Sequence, residues 1–273
     1  MIMVLTGMTY NLKNPVDADA RAWPARRPLL AELLRSAAPD VVGTQEGHHA
    51  QLLDIAADSG RYEILGAGRD ADGGGEWCAV LYDPAVLTPV EQHHFWLSDT
   101  PDVPGSASWG NEVVRMATWA RFRTAGGGEL VWLNTHLDHR SAAARRRGAA
   151  LIAERLAGVD GPLVVSGDFN CEPGSEPYAV LTGAGLADAW VAAEGRRFRT
   201  SGAGRVAAPA GQGTYGGWRA PRPDSGRIDW LLTRGPIVVH GAEICEDHDG
   251  GQWPSDHVPV RVELGLPAAT PGT

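Results

Sequence analysis

Residues 118–139 read TWARFRTAGGGELVWLNTHLDH. Two strand-like runs, 118–123 and 130–134, flank the glycines Gly126, Gly127 and Gly128, which is the pattern of two strands joined by a tight turn. Such a hairpin pairs antiparallel, so the chain is not a simple alternation of strand and helix around a parallel sheet, and a mixed α/β protein is expected. The second run leads directly into Asn134, Thr135, His136, Leu137, Asp138 and His139. A strand therefore ends in a group of amide, imidazole and carboxylate side chains.

Working outward, residues 2–9, 40–44, 62–65, 78–82, 163–166, 228–233, 236–244 and 258–264 also read as strands. Helical spacing places Leu29, Leu30, Leu33 and Leu34 on one face after Pro28, which suits a first helical turn; 51–57, 142–156 and 176–181 follow the same period. Residues 98–111 and 195–225 carry no clear pattern and read as long loops. With 273 residues the chain can bury a sizeable core, and one domain over 1–265 with a flexible tail at 266–273 is expected.

Composition narrows the function classes. Hydrophobic residues at 43% and charged residues at 21% exclude a disordered or fibrous chain. The net charge of −9 opposes tight non-specific binding of nucleic acid. Cys78, Cys171 and Cys245 are too few and too far apart for a disulfide framework or a zinc knot. No apolar run reaches membrane-spanning length, and residues 1–10, which lack a basic leading segment, read as a strand; no membrane partner and a cytoplasmic location are expected. Lysine occurs once, at Lys13, and this scarcity reads as compositional bias.

Several other strand-like runs end in polar groups: Asn11 closes the first and Gln45-Glu46 another, while Gly167-Asp168-Phe169-Asn170 follows a third. Arg227-Ile228-Asp229-Trp230 and Ser255-Asp256-His257 complete the series. Taken singly, Glu46 reads equally as a charge at a helix N-terminus, Asp168 and Asn170 as a side-chain turn, and Asp256-His257 as a surface turn. Together they look like a site assembled at strand ends, where hard carboxylate oxygens suit a divalent cation and a histidine beside a carboxylate supplies a base.

In order and spacing this set resembles the endonuclease/exonuclease/phosphatase superfamily, the group that includes deoxyribonuclease I, from about residue 3 to residue 264. The resemblance implies a four-layer α-β-β-α sandwich with two mixed, largely antiparallel central sheets, and hydrolysis of a phosphate ester with Mg²⁺ or Mn²⁺. By similarity Glu46 is the principal metal ligand, with Asn11 and Asp256 in the same region. Asp229 would orient His257, His136 and Asn170 would contact the phosphate, and Asp168 would activate water or serve the leaving group. Whether Asp168 or His257 is the base stays open. The branch of the superfamily that carries Phe95-Trp96-Leu97-Ser98 and Asp138-His139-Arg140 adds Glu76, Arg115, Asp138 and His139 as candidates for substrate contact.

Other readings are weaker. Asn134 to His139 is similar to the His-x-His-x-Asp-His signature of metallo-β-lactamases, but Asn134 fills the first histidine slot and a two-zinc site would lose a ligand there. No Gly-x-Ser-x-Gly elbow or P-loop is present. Arg145, Arg146 and Arg147 read as a solvated helical face, Trp109 and Trp218 as core or stacking residues, and the pairs His48-His49 and His93-His94 as structural. The expected activity is that of a phosphodiesterase or phosphatase acting on a small organic phosphate, nucleotide or sugar phosphate. A nuclease and a non-catalytic binding protein are the alternatives.

Overall fold

The computed structural model describes residues 2–200, 204–207, 213–222 and 225–267. Their strands form two sheets. The first runs in the order β11 (Gly204–Ala207), β10 (Arg196–Thr200), β13 (Val238–Glu246), β14 (Val260–Pro267), β1 (Ile2–Asn11), β2 (Val41–Gln45), β4 (Val80–Tyr82) and β3 (Glu63–Leu65). The second runs β5 (Leu87–Trp96), β6 (Met116–Thr124), β7 (Glu129–His136), β8 (Leu163–Asp168), β12 (Asp229–Arg234) and β9 (Ala187–Asp188). The antiparallel pairing of β6 with β7 is the hairpin read from residues 118–139.

Alternation along the strands sorts side chains into three apolar layers. Leu130 and Trp132 of β7 point between the sheets, where they meet Leu5, Val41 and Val260. Val131 and Leu133 point the other way, onto α3 (Ala142–Leu156) and α4 (Glu176–Gly183) through Ile152 and Leu181. On the far face of the first sheet Met8 and Tyr10 pack with Leu30 of α1 (Trp23–Ala37) and Leu52 of α2 (His49–Ser59). A short α5 (Ala189–Ala192) packs Trp190 into the central layer. Two sheets face to face with helices outside them make the expected four-layer sandwich. No helix among the described residues is long and apolar enough to cross a membrane.

Four local expectations need correction. Helix α1 starts at Trp23 with Pro24 in its first turn, so Pro28 lies inside the helix instead of opening it. Strand β5 escapes sequence reading because it is an edge strand: much of it is exposed, so it lacks alternation, and Pro89 stands at a bulge where a missing N–H costs little. The presumed loop at 195–225 contains β10, parallel to β13, and β11. The chain also stays paired beyond residue 265, with Leu266 and Pro267 opposite Met3 and Ile2. The rest of the expected tail, residues 268–273, lies outside the described residues.

Candidate active site

Strand direction gathers the polar termini at one end of the sandwich. Parallel β1 and β2 set Asn11 beside Gln45, and parallel β7 and β8 set His136 beside Asp168. Antiparallel β12 begins with Asp229 opposite Asp168. Glu46 follows β2, Asn170 follows β8, and Asp256 and His257 precede β14. Glu46 and Asn170 adopt left-handed φ of 61° and 50°, as does Lys13 at 56°. Non-glycine residues held in that region cost about 1–3 kcal/mol each, and they gather where a side chain must be aimed.

Beneath these residues a buried polar clasp joins the two sheets. Gln45 donates to Asn134 Oδ1 at 2.7 Å and to Thr9 Oγ1 at 3.2 Å. Asn134 donates to the carbonyls of Thr44 and Ala79, Ser166 donates to Asn134 Oδ1 at 3.0 Å, and Trp132 Nε1 donates to Ser166 Oγ at 2.8 Å. Gly43 leaves room for the clasp: a Cβ there would stand 2.1 Å from Ser166 Oγ. Asn134 is thus an internal fastener between the sheets.

Above the clasp, His257 Nδ1 lies 2.9 Å from Asp229 Oδ2. Its Nε2 lies 3.7 Å from Asp168 Oδ2 and 3.5 Å from Asn11 Nδ2. Burial opposes a charge on His257, but Asp229 and Asp168 outweigh it and raise the imidazole to about 10. Asp168 is raised too, which for a carboxylate favours the neutral form: burial, then the charge of Asp229, lifts it to about 7. Its Oδ1 accepts the Asn170 backbone N–H at 2.9 Å, so the side-chain turn forms while Oδ2 still faces His136 at 3.4 Å. Burial, with Arg115 nearby, holds His136 neutral, and Asn170 Nδ2 stands 3.0 Å from its Nε2.

Asn11 presents its amide nitrogen to the site, donating to Glu46 Oε1 and Asp168 Oδ2 at 3.0 Å each, while its oxygen accepts the Lys13 N–H. In this conformation it orders two carboxylates and does not offer an oxygen ligand. Burial works against the Glu46 charge, yet the Asn11 bond and Lys13 hold its pKa below the usual carboxylate range. Burial raises Asp256 instead. Glu46 does not cap α2; His48 does, with Gln51 accepting its N–H at 3.0 Å.

These groups open onto a cavity of about 450 Å³. Arg69, Glu76, Arg115 and His139 also line it. Glu76 accepts from Asn14 at 3.2 Å and pairs with Arg69, and Arg115 Nη2 lies 3.2 Å from His139 Nδ1. Of the expected substrate contacts, Glu76, Arg115 and His139 line this space. Asp138 faces away: its Oδ1 accepts the N–H groups of Arg140 and Ser141 and turns the chain into α3. Asn11 and Asp229 support the lining from behind.

Sequence reasoning missed Lys13, Asn14, Arg69 and Tyr215, all of which line the cavity. Tyr215 is 49% exposed, and its ring centroid stands 5.0 Å from that of His257. Its loop is fixed by Gly216 and Gly217 N–H groups donating to the Asp256 carbonyl. Arg26, fully buried, donates to the carbonyls of Arg21, Leu12, Pro254, Lys13 and Asn14, tying the segment after Asn11 to the one before Asp256. Trp218 packs its ring under the guanidinium of Arg26 at 5.5 Å. Trp109 donates to Asp99, and Arg145 to the Asp138 carbonyl. His49 stacks on Trp77, and His94 Nδ1 lies 3.3 Å from Thr118 Oγ1.

The geometry matches a known group of proteins. The endonuclease/exonuclease/phosphatase family model covers residues 8–257. The chain belongs to this family. It is 29% identical to an endonuclease/exonuclease/phosphatase from Bacteroides vulgatus, with 97% of this chain and 100% of that one covered at a TM-score of 0.87. It is 30% identical to a mannosyl-6-phosphatase of Bacteroides thetaiotaomicron, with 95% and 99% covered at a TM-score of 0.82. Against Nocturnin of Drosophila melanogaster it is 27% identical over 184 residues, 62% of this chain but 27% of that protein, so it spans well under two thirds of that curated relative.

As an endonuclease/exonuclease/phosphatase family member the chain is a hydrolase of phosphate ester bonds, which sets aside the metallo-β-lactamase reading. The residues present can also hold a metal. Asp168, Asp229 and His257 bring ligand atoms within 4.8 Å of one another. Asp229 and the His257 Nδ1 already satisfy each other there. Glu46 and Asp256 line the cavity as hard oxygen donors without such mutual occupation.

Proposed function

We propose that this family member is a divalent-metal-dependent phosphoesterase acting on small phosphorylated molecules, sugar phosphates foremost. The observation that carries the proposal is the cavity, in which the reactive groups and the polar side chains of Arg69, Glu76, Arg115 and His139 share one space of about 450 Å³. That volume suits a phosphorylated monosaccharide. Glu76, Asn14 and Arg69 offer the acceptors and donors that ring hydroxyls require, and the exposed Tyr215 ring offers a flat apolar face to a sugar. Similarity over the whole chain to a mannosyl-6-phosphatase supports the same substrate class.

Glu46 and Asp256 would hold Mg²⁺ or Mn²⁺, which when bound supplies positive charge to the phosphoryl oxygens. His136 and Asn170, which line the same cavity as Glu46, bind the phosphate. Asp168, whose pKa is raised towards neutrality, accepts a proton from the attacking water. His257, held as the imidazolium by Asp229, places a positive N–H where negative charge grows on the phosphoryl group. Asp229 acts through His257 and is a positioning residue.

The test compares mannose 6-phosphate, p-nitrophenyl phosphate, bis-p-nitrophenyl phosphate and plasmid DNA as substrates. Each is assayed with Mg²⁺, Mn²⁺ or EDTA, with His257→Ala as control. Metal-dependent turnover of the monoesters, lost in the variant, is expected. Plasmid nicking without monoester turnover would make the chain a nuclease, and silence on all four with intact metal binding would favour a binding protein.

A further inference from the structure

Lys13 is the single lysine of a chain with 24 basic side chains, and it lies in the reactive cavity. Its backbone is fixed in the left-handed region that glycine and asparagine favour. The N–H donates to Asn11 Oδ1 at 3.0 Å, and the carbonyl accepts from Arg26 Nη2 and Gln51 Nε2 at 3.1 Å each. Three bonds from three elements thus hold an unfavourable conformation, and what they aim is the side chain. The ammonium stands 3.7 Å from Asp256 Oδ2 and 3.9 Å from Glu46 Oε2. Among the described residues no other cation forms an ion pair with either carboxylate.

We propose that Lys13 is a tethered counter-cation that occupies the space between Glu46 and Asp256 when no divalent ion is bound and competes with that ion for them. The inference rests on the assignment of these two carboxylates to the metal. Two largely buried acids facing one cavity repel each other, and a positive charge between them relieves the repulsion. At 3.7 Å and 3.9 Å the ammonium is close enough for attraction but makes no tight hydrogen bond, so it can leave without breaking one. Lysine suits this task better than arginine, being a compact point charge on a flexible stem and not a planar fork that grips a carboxylate in two places.

The test is calorimetric titration of Mn²⁺ into the wild-type protein, Lys13→Met and Glu46→Gln, with no substrate present. Loss of one competing charge should tighten Mn²⁺ binding by Lys13→Met about tenfold. In EDTA the same variant should melt below the wild type, and saturating Mn²⁺ should close the gap. Unchanged or weaker binding by Lys13→Met, with binding lost in Glu46→Gln, would overturn the role of Lys13 while leaving the metal assignment standing. Unchanged binding by Glu46→Gln would overturn both. A readout on the unmodified protein is independent of variant folding: labelling of this sole lysine by an amine-reactive reagent, followed by mass spectrometry, should speed up when Mn²⁺ is added, and an unaltered rate contradicts the proposal.

Discussion

The Nδ1 of His257 and the Oδ2 of Asp229 stand 2.9 Å apart, and both residues are buried. The carboxylate accepts the inner N–H and fixes the ring so that Nε2 faces Asp168 and Asn11. Because Asp229 is also the first of the charges that raise the His257 pKa, its removal must change the pH response as well as the rate.

Asp229→Asn keeps the shape of the pair but removes its charge. On the proposed role of His257 as the imidazolium, activity should fall as pH rises through its pKa, which lies near 10 in the wild type. In the variant that alkaline limb should move to lower pH, with kcat reduced by roughly 10²–10⁴-fold. A pH–rate profile of kcat/KM checks this, and an unmoved alkaline limb contradicts the role of Asp229.

Asp168→Asn should abolish most turnover and yet stabilise the fold. A carboxylate whose folded pKa is raised to about 7 is penalised in the folded state once pH exceeds its ordinary value; the penalty grows up to the raised pKa and is constant above it. At pH 8 the neutral amide escapes it, and a gain of about 1 kcal/mol, or roughly 2–4 °C in Tm, is expected. At pH 3, where the wild-type acid is already protonated, the two proteins should melt together.

Arg26→Met removes the donor to five carbonyl oxygens, of which only that of Lys13 keeps a second one, from Gln51, and those of Leu12 and Pro254 are in buried bonds. The loss should be about 3 kcal/mol of stability, measured by urea unfolding. Since those carbonyls belong to the segments beside Asn11 and Asp256, the metal concentration for half-maximal activity should rise as well. A fully active, equally stable variant would rule out the strapping role.

Glu46→Gln exchanges a charged oxygen donor for a neutral one without changing its size. Half-maximal activity should then need about 10–100-fold more Mg²⁺ or Mn²⁺. EDTA should silence the wild type, and readdition of the ion should restore it. A titration curve identical to that of the wild type would remove Glu46 from the ligand set.

Much of this site was legible in the sequence because strand ends impose a local grammar. Asn11, Glu46, Asp168, Asp229 and His257 each abut a run whose β-character is plain, and strand direction then brings them to one end. What escaped depends on distant partners. Lys13 looked like compositional bias, since only folding brings Glu46 and Asp256 to its ammonium. Tyr215 lies in a stretch with no periodicity, and its place beside His257 is set by Asp256, 41 residues further along the chain. Pro28 misled because the helix that contains it begins one turn earlier, with Pro24 already in the opening position. Asp138 shared a motif with His136 but serves the turn into α3.

The clasp of Gln45, Asn134 and Ser166 makes assembly of the two sheets nearly all-or-none in alignment. Oily surfaces alone could meet at neighbouring offsets with little to choose between them, whereas sliding by a single position would strand several amide and hydroxyl groups away from water. Two halves built from distant parts of the chain thus carry a checksum at their meeting plane. Only the arrangement that satisfies it lines up the strand ends, so the gathering of the polar groups at the candidate site and the correct pairing of the sheets are one and the same event.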